Sequence, residues 1–281
     1  MIEINEALLR LAASPEPGTH IGPAPYRGGQ VESFSMLGND GRYWRVAGGE
    51  YTGQMERPGP GPVFSRDGEI WIESASEILA RVDATILRPD ARPAMVRAFA
   101  ALALESGCRN VCVFPARIPD VLDSWPAPAT VISFPHGADG VRSKQLQIEA
   151  AVVAGAGEID LVADRSLIAA CDWTGLEEEL AELRRVSEVP VKVILETGQM
   201  TLDDVPEATR AVENSGCEYA KTSTGMVPEG ASIEAVEAMH QSCPDLGIKA
   251  SGGIRTREAA GAMIRAGADV IGASDPQGLV I

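Results

Sequence analysis

The chain carries 24 basic residues, yet only four of them are lysine: Lys144, Lys192, Lys221 and Lys249. Three of the four sit in or at the end of apolar segments, in "VKVILETG", "EYAKTSTG" and "GIKASGG". A guanidinium would stay charged there and be costly to desolvate, whereas an amine can shed its proton. The placement therefore points to lysine chemistry rather than lysine charge. Asp160, in "EIDLV", puts a carboxylate at the corresponding place in another apolar run. Two lysines close together repel as cations, and burial adds a desolvation cost, so one should titrate below the usual value of about 10.4. The neutral amine then attacks an aldehyde or ketone. The iminium that forms is an electron sink for making or breaking the adjacent carbon–carbon bond. An aspartate within reach, directly or through a water, moves the protons. The competing reading is a structural Asp–Lys ion-pair network. One aspartate cannot balance three buried lysines, which favours function.

Glycine turns supply a complementary signal. "STGMV", "SGGI" and "IGAS" follow three consecutive apolar runs, and backbone N–H groups at such turns can hold a phosphate without a basic patch.

These groups need elements to position them. From about residue 82, short β-branched runs alternate with amphipathic stretches. The runs are "VDATIL", "VCVF", "ATVIS", "EIDLV", "VKVILE", "EYAKT", "GIKAS" and "DVIGA"; the stretches include "RPAMVRAFAALALESG", "SKQLQIEAAVVAGAG" and "LEEELAELRRVSE". Eight strand–helix repeats predict a parallel sheet closed into a (β/α)8 barrel, with an open doubly wound sheet as the alternative. Adjacent strands lie about 5 Å apart, so Asp160, Lys192, Lys221 and Lys249 converge on one pocket if no bulge shifts their parity. After the eighth run only "SDPQGLVI" remains, too little for a full last helix. Residues 1–75 read as an N-terminal extension and residues 76–281 as the barrel. The extension is expected to form a short amphipathic helix in "IEINEALLRLAAS" and a small hairpin around "YWRV" and "IWI". It either packs on the barrel's flank, or it replaces the missing helix or makes a homo-oligomer contact.

A net charge of −16 argues against nucleic acid or an anionic membrane as a partner. No stretch approaches the roughly 18 to 20 apolar residues of a membrane span, and "MIEINEALLR" lacks the order of a signal peptide, which points to the cytoplasm. Five scattered cysteines suggest buried thiols, with neither a disulfide framework nor a metal spacing. His136, in "FPHGA", reads as a turn residue exposed to water.

With these residues in view, positions 76–274 resemble the deoxyribose-phosphate aldolase family of lysine-dependent aldolases. The resemblance is carried, in order, by "ARVDATILRPDA", "VCVFPARIP", "TVISFPHGA", "GAGEIDLVAD", "VKVILETG", "EYAKTSTG", "GIKASGGIRT" and "AGADVIGAS". It implies that Lys221 forms the Schiff base, that Lys249 depresses its pKa, and that Asp160 is the acid/base working through water. It puts Lys192 and Glu196 in a proton-relay shell, Cys112, Asp83 and Thr85 near the substrate, and Gly225, Gly252, Gly253 and Ser274 at a phosphate. It implies cleavage of 2-deoxy-D-ribose 5-phosphate to D-glyceraldehyde 3-phosphate and acetaldehyde with no metal or organic cofactor. Four positions depart from the family's common residues. Ala84 replaces a histidine, Arg88 a lysine, Phe114 a smaller or polar residue, and Asp275 a small hydroxyl residue. These departures keep two alternatives open: an aldolase for an unphosphorylated or bulkier aldehyde, and a non-catalytic sugar-phosphate-binding barrel.

Overall fold

The computed structural model describes residues 75–279 and, ahead of them, short strands between Ile2 and Trp71. The chain divides into two units, Met1–Ile78 and Leu79–Leu279.

In the second unit eight strands alternate with helices. The strands are β1 (Val82–Ile86), β2 (Asn110–Val113), β3 (Ala129–Ile132), β4 (Glu158–Val162), β5 (Val191–Ile194), β6 (Tyr219–Lys221), β7 (Gly247–Ser251) and β8 (Val270–Ala273). Every neighbouring pair is parallel, and β8 pairs back onto β1, so the sheet closes into a barrel rather than the open doubly wound alternative. The strand sequences explain this. They are buried almost end to end, so both faces need packing, which is how parallel strands under a helical cover read.

The longer helices are α1 (Pro93–Glu105), α2 (Val141–Val153), α3 (Trp173–Arg185), α4 (Val205–Asn214), α5 (Ile233–Ser242) and α6 (Arg257–Arg265). Their starts carry the expected caps. Asp172, Ser232 and Thr256 each accept a hydrogen bond from a backbone N–H of the first turn, and Pro93 opens α1. Gly267 ends α6 at φ +113°, donating to the carbonyl of Ile264 while Ala268 donates to that of Met263. That left-handed closing turn favours glycine. On α3 the buried face is Leu176, Leu180 and Leu183, and each fully buried leucine contributes about 1.5–3 kcal/mol. The same face carries Glu179, which accepts from Lys144 of α2 at 2.8 Å, so the fourth lysine joins two helices away from the barrel centre.

After β8 the described chain makes only the 3-10 turn Gln277–Leu279, packed against α6, and no last helix follows among the described residues.

The first unit contains a four-stranded antiparallel sheet in the order His20–Gly22, Ser33–Leu37, Tyr43–Ala47 and Glu50–Met55. "YWRV" lies in its third strand, and Ile70–Trp71, from "IWI", pairs with Val63–Phe64. In the segment expected to be helical, Ile2–Glu3 is instead a strand paired with Gln30–Val31. Residues 4–14 of that segment lie outside the described residues.

Candidate active site

Strand register settles which side chains share the barrel interior. Asp160 pairs with Lys192, and Lys221 with Lys249, each across one strand boundary. No register shift interrupts the β4 to β7 ladder, so the four groups share one parity.

The three lysines meet on a single carboxylate, that of Asp160. Asp160 Oδ2 accepts from Lys221 Nζ at 2.6 Å and from Lys249 Nζ at 2.7 Å. Asp160 Oδ1 is buried, has no hydrogen-bond partner and lies 3.5 Å from Lys192 Nζ; Asp160 itself does not line the cavity described below. Lys249 Nζ also donates to Asp83 Oδ2 at 2.6 Å, and Lys192 donates to Glu158. Lys192 Nζ stands 5.7 Å from the centre of the Tyr219 ring, a cation–π distance.

This arrangement drives the two lysines in opposite directions. For Lys221, burial lowers the pKa, Asp160 opposes that, and the charge on Lys249 adds to it, leaving the amine below its ordinary value. Lys249 is equally buried but held between Asp160 and Asp83, whose charges overcome desolvation and raise its pKa. Burial would raise the pKa of Asp160, but Lys221, Lys249 and Lys192 override it and hold the carboxyl well below the usual range. The cluster is therefore an ionised carboxylate, a firmly charged ammonium and an amine that gives up its proton more readily. Cys112 is not part of this exchange: burial pushes its thiol up to about 12, which keeps it neutral.

Lys221 lies on the wall of a cavity of about 460 Å³ at the carboxyl ends of the strands, within the usual range for a small-molecule site. Thr85, Gly225, Gly252, Gly253 and Ser274 line it, with Met95 and Phe99 of α1 as an apolar wall and Arg88 and Arg255 as cations. The turns after β6 and β7 are stitched together. Thr222 Oγ1 donates to the carbonyl of Ser251 at 2.9 Å, and Ser251 Oγ donates to that of Ser223 at 2.6 Å. Gly252 has φ +93°, and a Cβ there would lie 3.1 Å from both Gly230 Cα and Ser223 Cβ. Only glycine fits both the backbone angle and the space.

The other residues singled out in the sequence fall in several places. Asp83 is not beside the cavity; it is fully buried inside the barrel as the second carboxylate of Lys249, and the cavity lining does not include it. Glu196 is not joined to Lys192. At φ +57° it turns its carboxylate to Thr224, accepting from the backbone N–H at 3.1 Å and from Oγ1 at 2.6 Å, and so braces the "STG" turn. Cys112 is buried with Leu87, Ala129 and Val131 beneath Phe114 and Phe134, whose rings meet edge to face at 6.0 Å. Asp275 does not line the cavity; its Oδ1 accepts from the N–H of Gly278. His136 is exposed and lines a separate, smaller cavity. Two charged residues escaped the sequence reading, Glu158 and Arg109, which complete the ion-pair network with Lys192 and Asp83. Period two back from Asp160 would have flagged Glu158 as inward-facing. Among the described residues no group of three or more His, Cys, Asp and Glu side chains is placed to hold a metal ion, and no helix is long and apolar enough to cross a membrane.

No protein-family model matches the chain. Among curated proteins it is 40% identical over 203 residues to a deoxyribose-phosphate aldolase from Kocuria rhizophila, covering 71% of this chain and 93% of that protein. Among solved structures it is similar to the aldolase QR15, with a TM-score of 0.69 and 32% identity over 73% of this chain and 94% of that one. It is similar also to a tetrameric deoxyribose phosphate aldolase from Aeropyrum pernix, with a TM-score of 0.69 and 27% identity over 74% of this chain and 91% of that one. A relative at that identity, matched over nearly its whole length, together with the closed barrel, shows that the chain belongs to the deoxyribose-phosphate aldolase family.

Proposed function

We propose that the protein is a Schiff-base aldolase that reversibly cleaves 2-deoxy-D-ribose 5-phosphate to D-glyceraldehyde 3-phosphate and acetaldehyde. The observation that carries this reading is the sharing of Asp160 Oδ2 by two lysines whose pKa values move apart, with the depressed one, Lys221, lining the cavity.

In the cleavage direction, the neutral Lys221 amine adds to the C1 aldehyde of the open-chain sugar, and loss of water gives the iminium. A proton leaves the C3 hydroxyl through a water that passes it on to the ionised Asp160 beside Lys221. The C3–O pair forms the carbonyl of glyceraldehyde 3-phosphate, and the C2–C3 pair moves into the iminium to give an enamine. Protonation at C2 and hydrolysis release acetaldehyde and restore the amine. Lys249 stays charged throughout, keeping Lys221 reactive and Asp160 ionised.

For the other end of the substrate, the glycine turns at Gly225, Gly252 and Gly253, with Ser274 and the Arg255 side chain, favour a phosphate; Arg88 also lines the cavity, with its guanidinium paired to Asp90. Asp275, which follows Ser274, bonds the N–H of Gly278 and does not line the cavity. The tetrameric relative supports a homo-oligomer as the working form.

The test is turnover. Release of glyceraldehyde 3-phosphate from 2-deoxyribose 5-phosphate, with much slower cleavage of unphosphorylated 2-deoxyribose, is expected. Equal turnover of the two sugars would reject the phosphate assignment, and no turnover of either would reject the reaction.

A further inference from the structure

The lysine cluster does not end at Asp83. Asp83 Oδ1 accepts from Arg109 Nη1 at 2.7 Å, and the same guanidinium reaches Glu158 through both of its terminal nitrogens. Arg109 immediately precedes β2, at the amino end of the barrel, and its side chain is 25% exposed while that of Asp83 is wholly buried. A continuous run of charged contacts therefore threads the barrel, from Arg109 to Asp83, Lys249, Asp160 and Lys221. One end meets solvent on the face opposite the cavity, and the other is the amine on the cavity wall. In this fold the amino end ordinarily bears on stability and the carboxyl end on chemistry.

We propose that Arg109 is a positioning residue for the lysine pair: by holding Asp83 and Glu158 from the amino end, it fixes how Lys249 is divided between Asp83 and Asp160, and so how free the Lys221 amine is. The geometry stands without the aldolase reading; only its consequence for turnover rests on that reading.

The physical chain is short. Asp83 gives one oxygen to each of two cations. With the guanidinium gone, the whole charge of Asp83 falls on Lys249 and draws it away from Asp160. Glu158, which now shares itself between Arg109 and Lys192, draws Lys192 more strongly too. Asp160 is then left to Lys221, and the repelling ammonium of Lys249 has receded. Both changes favour the charged form of Lys221. The groups that face Lys221 are Asp160 from β4, Lys249 from β7 and Cys112 from β2, with Lys192 from β5 and Asp83 from β1 beyond them. Cys112 is neutral, so lysines and carboxylates set the balance. Neutralising Glu158 acts in the opposite direction. Arg109 then commits to Asp83, releasing Lys249 toward Asp160, and Lys192 turns to Asp160 Oδ1, so Lys221 loses hold of its carboxylate.

The experiment reads the pH at which the Lys221 amine becomes reactive toward a small acylating reagent, mapped by mass spectrometry, in Arg109→Met, Arg109→Lys and Glu158→Gln. In Arg109→Met the midpoint moves up by about one pH unit, a roughly tenfold loss of reactivity on the acidic side that vanishes at high pH. Arg109→Lys, which keeps the charge, restores most of the shift, and Glu158→Gln moves the midpoint down. The acidic limb of kcat/KM follows the same order. An unshifted midpoint, or a loss equal at every pH, overturns the proposal. If Arg109→Met does not fold, the sign of the Glu158→Gln shift decides. Labelling needs no turnover, so an inactive but labelled wild-type protein would sink the proposed reaction, whereas an active one with unshifted midpoints would sink the role of Arg109.

Discussion

Replacing Lys249 with methionine isolates the electrostatic core of the site. The variant keeps the length of the side chain and leaves the remaining charges paired, Asp83 with Arg109 and Asp160 with Lys221 and Lys192. Lys221 Nζ and Lys249 Nζ bond the same oxygen, at 2.6 and 2.7 Å, so they stand no more than about 5 Å apart. At an effective dielectric constant of about 20, two unit charges at that separation repel by about 3 kcal/mol, or roughly two pKa units. Removing Lys249 therefore raises the pKa of Lys221 by about that amount. The reactive amine is the unprotonated form, so its fraction at pH below both the old and the new pKa falls roughly 100-fold, and the loss shrinks as pH rises through them. The assay is kcat/KM for 2-deoxyribose 5-phosphate against pH, with imine trapping measured alongside. A steep loss at neutral pH that narrows toward alkaline pH is expected. A loss of the same size at every pH, or an acidic limb that does not move, would show that Lys249 acts by some means other than its charge.

Four other outcomes follow from the same geometry. Glu196→Gln removes the charge that holds Thr224, so KM for the phosphorylated sugar should rise about tenfold while kcat changes little; a kcat effect alone would place Glu196 in the chemistry instead. Gly252→Ala forces a left-handed residue against Gly230 and Ser223 and should cost about 1–3 kcal/mol of stability, read as a lower urea midpoint, together with weaker substrate binding. Lys144→Met leaves Glu179 buried without its cation and should cost about 3–5 kcal/mol, with the catalytic constants of the folded fraction unchanged. Asp83, Glu158 and Asp160 all titrate below their ordinary values in the folded protein. Their contribution is therefore present above the unfolded carboxylate range near pH 4 and is lost as pH falls through the folded values, so the melting temperature should drop as pH is taken below about 4.

The barrel was legible because parallel strands buried on both faces leave unbroken apolar runs: "VKVIL" became β5 and "DVIGA" contains β8. The buried lysines were legible for the opposite reason, since a charge inside such a run has to be explained. What could not be read was how those charges are balanced. Asp83 is 166 residues from Lys249, and Arg109 is 49 from Glu158, so each looked like an isolated polar residue at a strand edge. Sequence reasoning accordingly moved Asp83 up to the substrate and left one aspartate to answer for three lysines. The contact of Glu196 was equally hidden: with a left-handed backbone after β5, its carboxylate bonds Thr224, 28 residues away in sequence. The contact of Asp275 with the N–H of Gly278, in the turn ending at Leu279, likewise has no signature in eight residues of tail.

The assignment of Lys221 as the nucleophile is tested most directly by treating the protein with acetaldehyde and borohydride and locating the trapped adduct by mass spectrometry. An ethyl group on Lys221 alone, absent when borohydride is withheld and strongly reduced at neutral pH in Lys249→Met, is the expected result. An adduct on Lys249 or Lys192, or none on any lysine of the barrel, would contradict it.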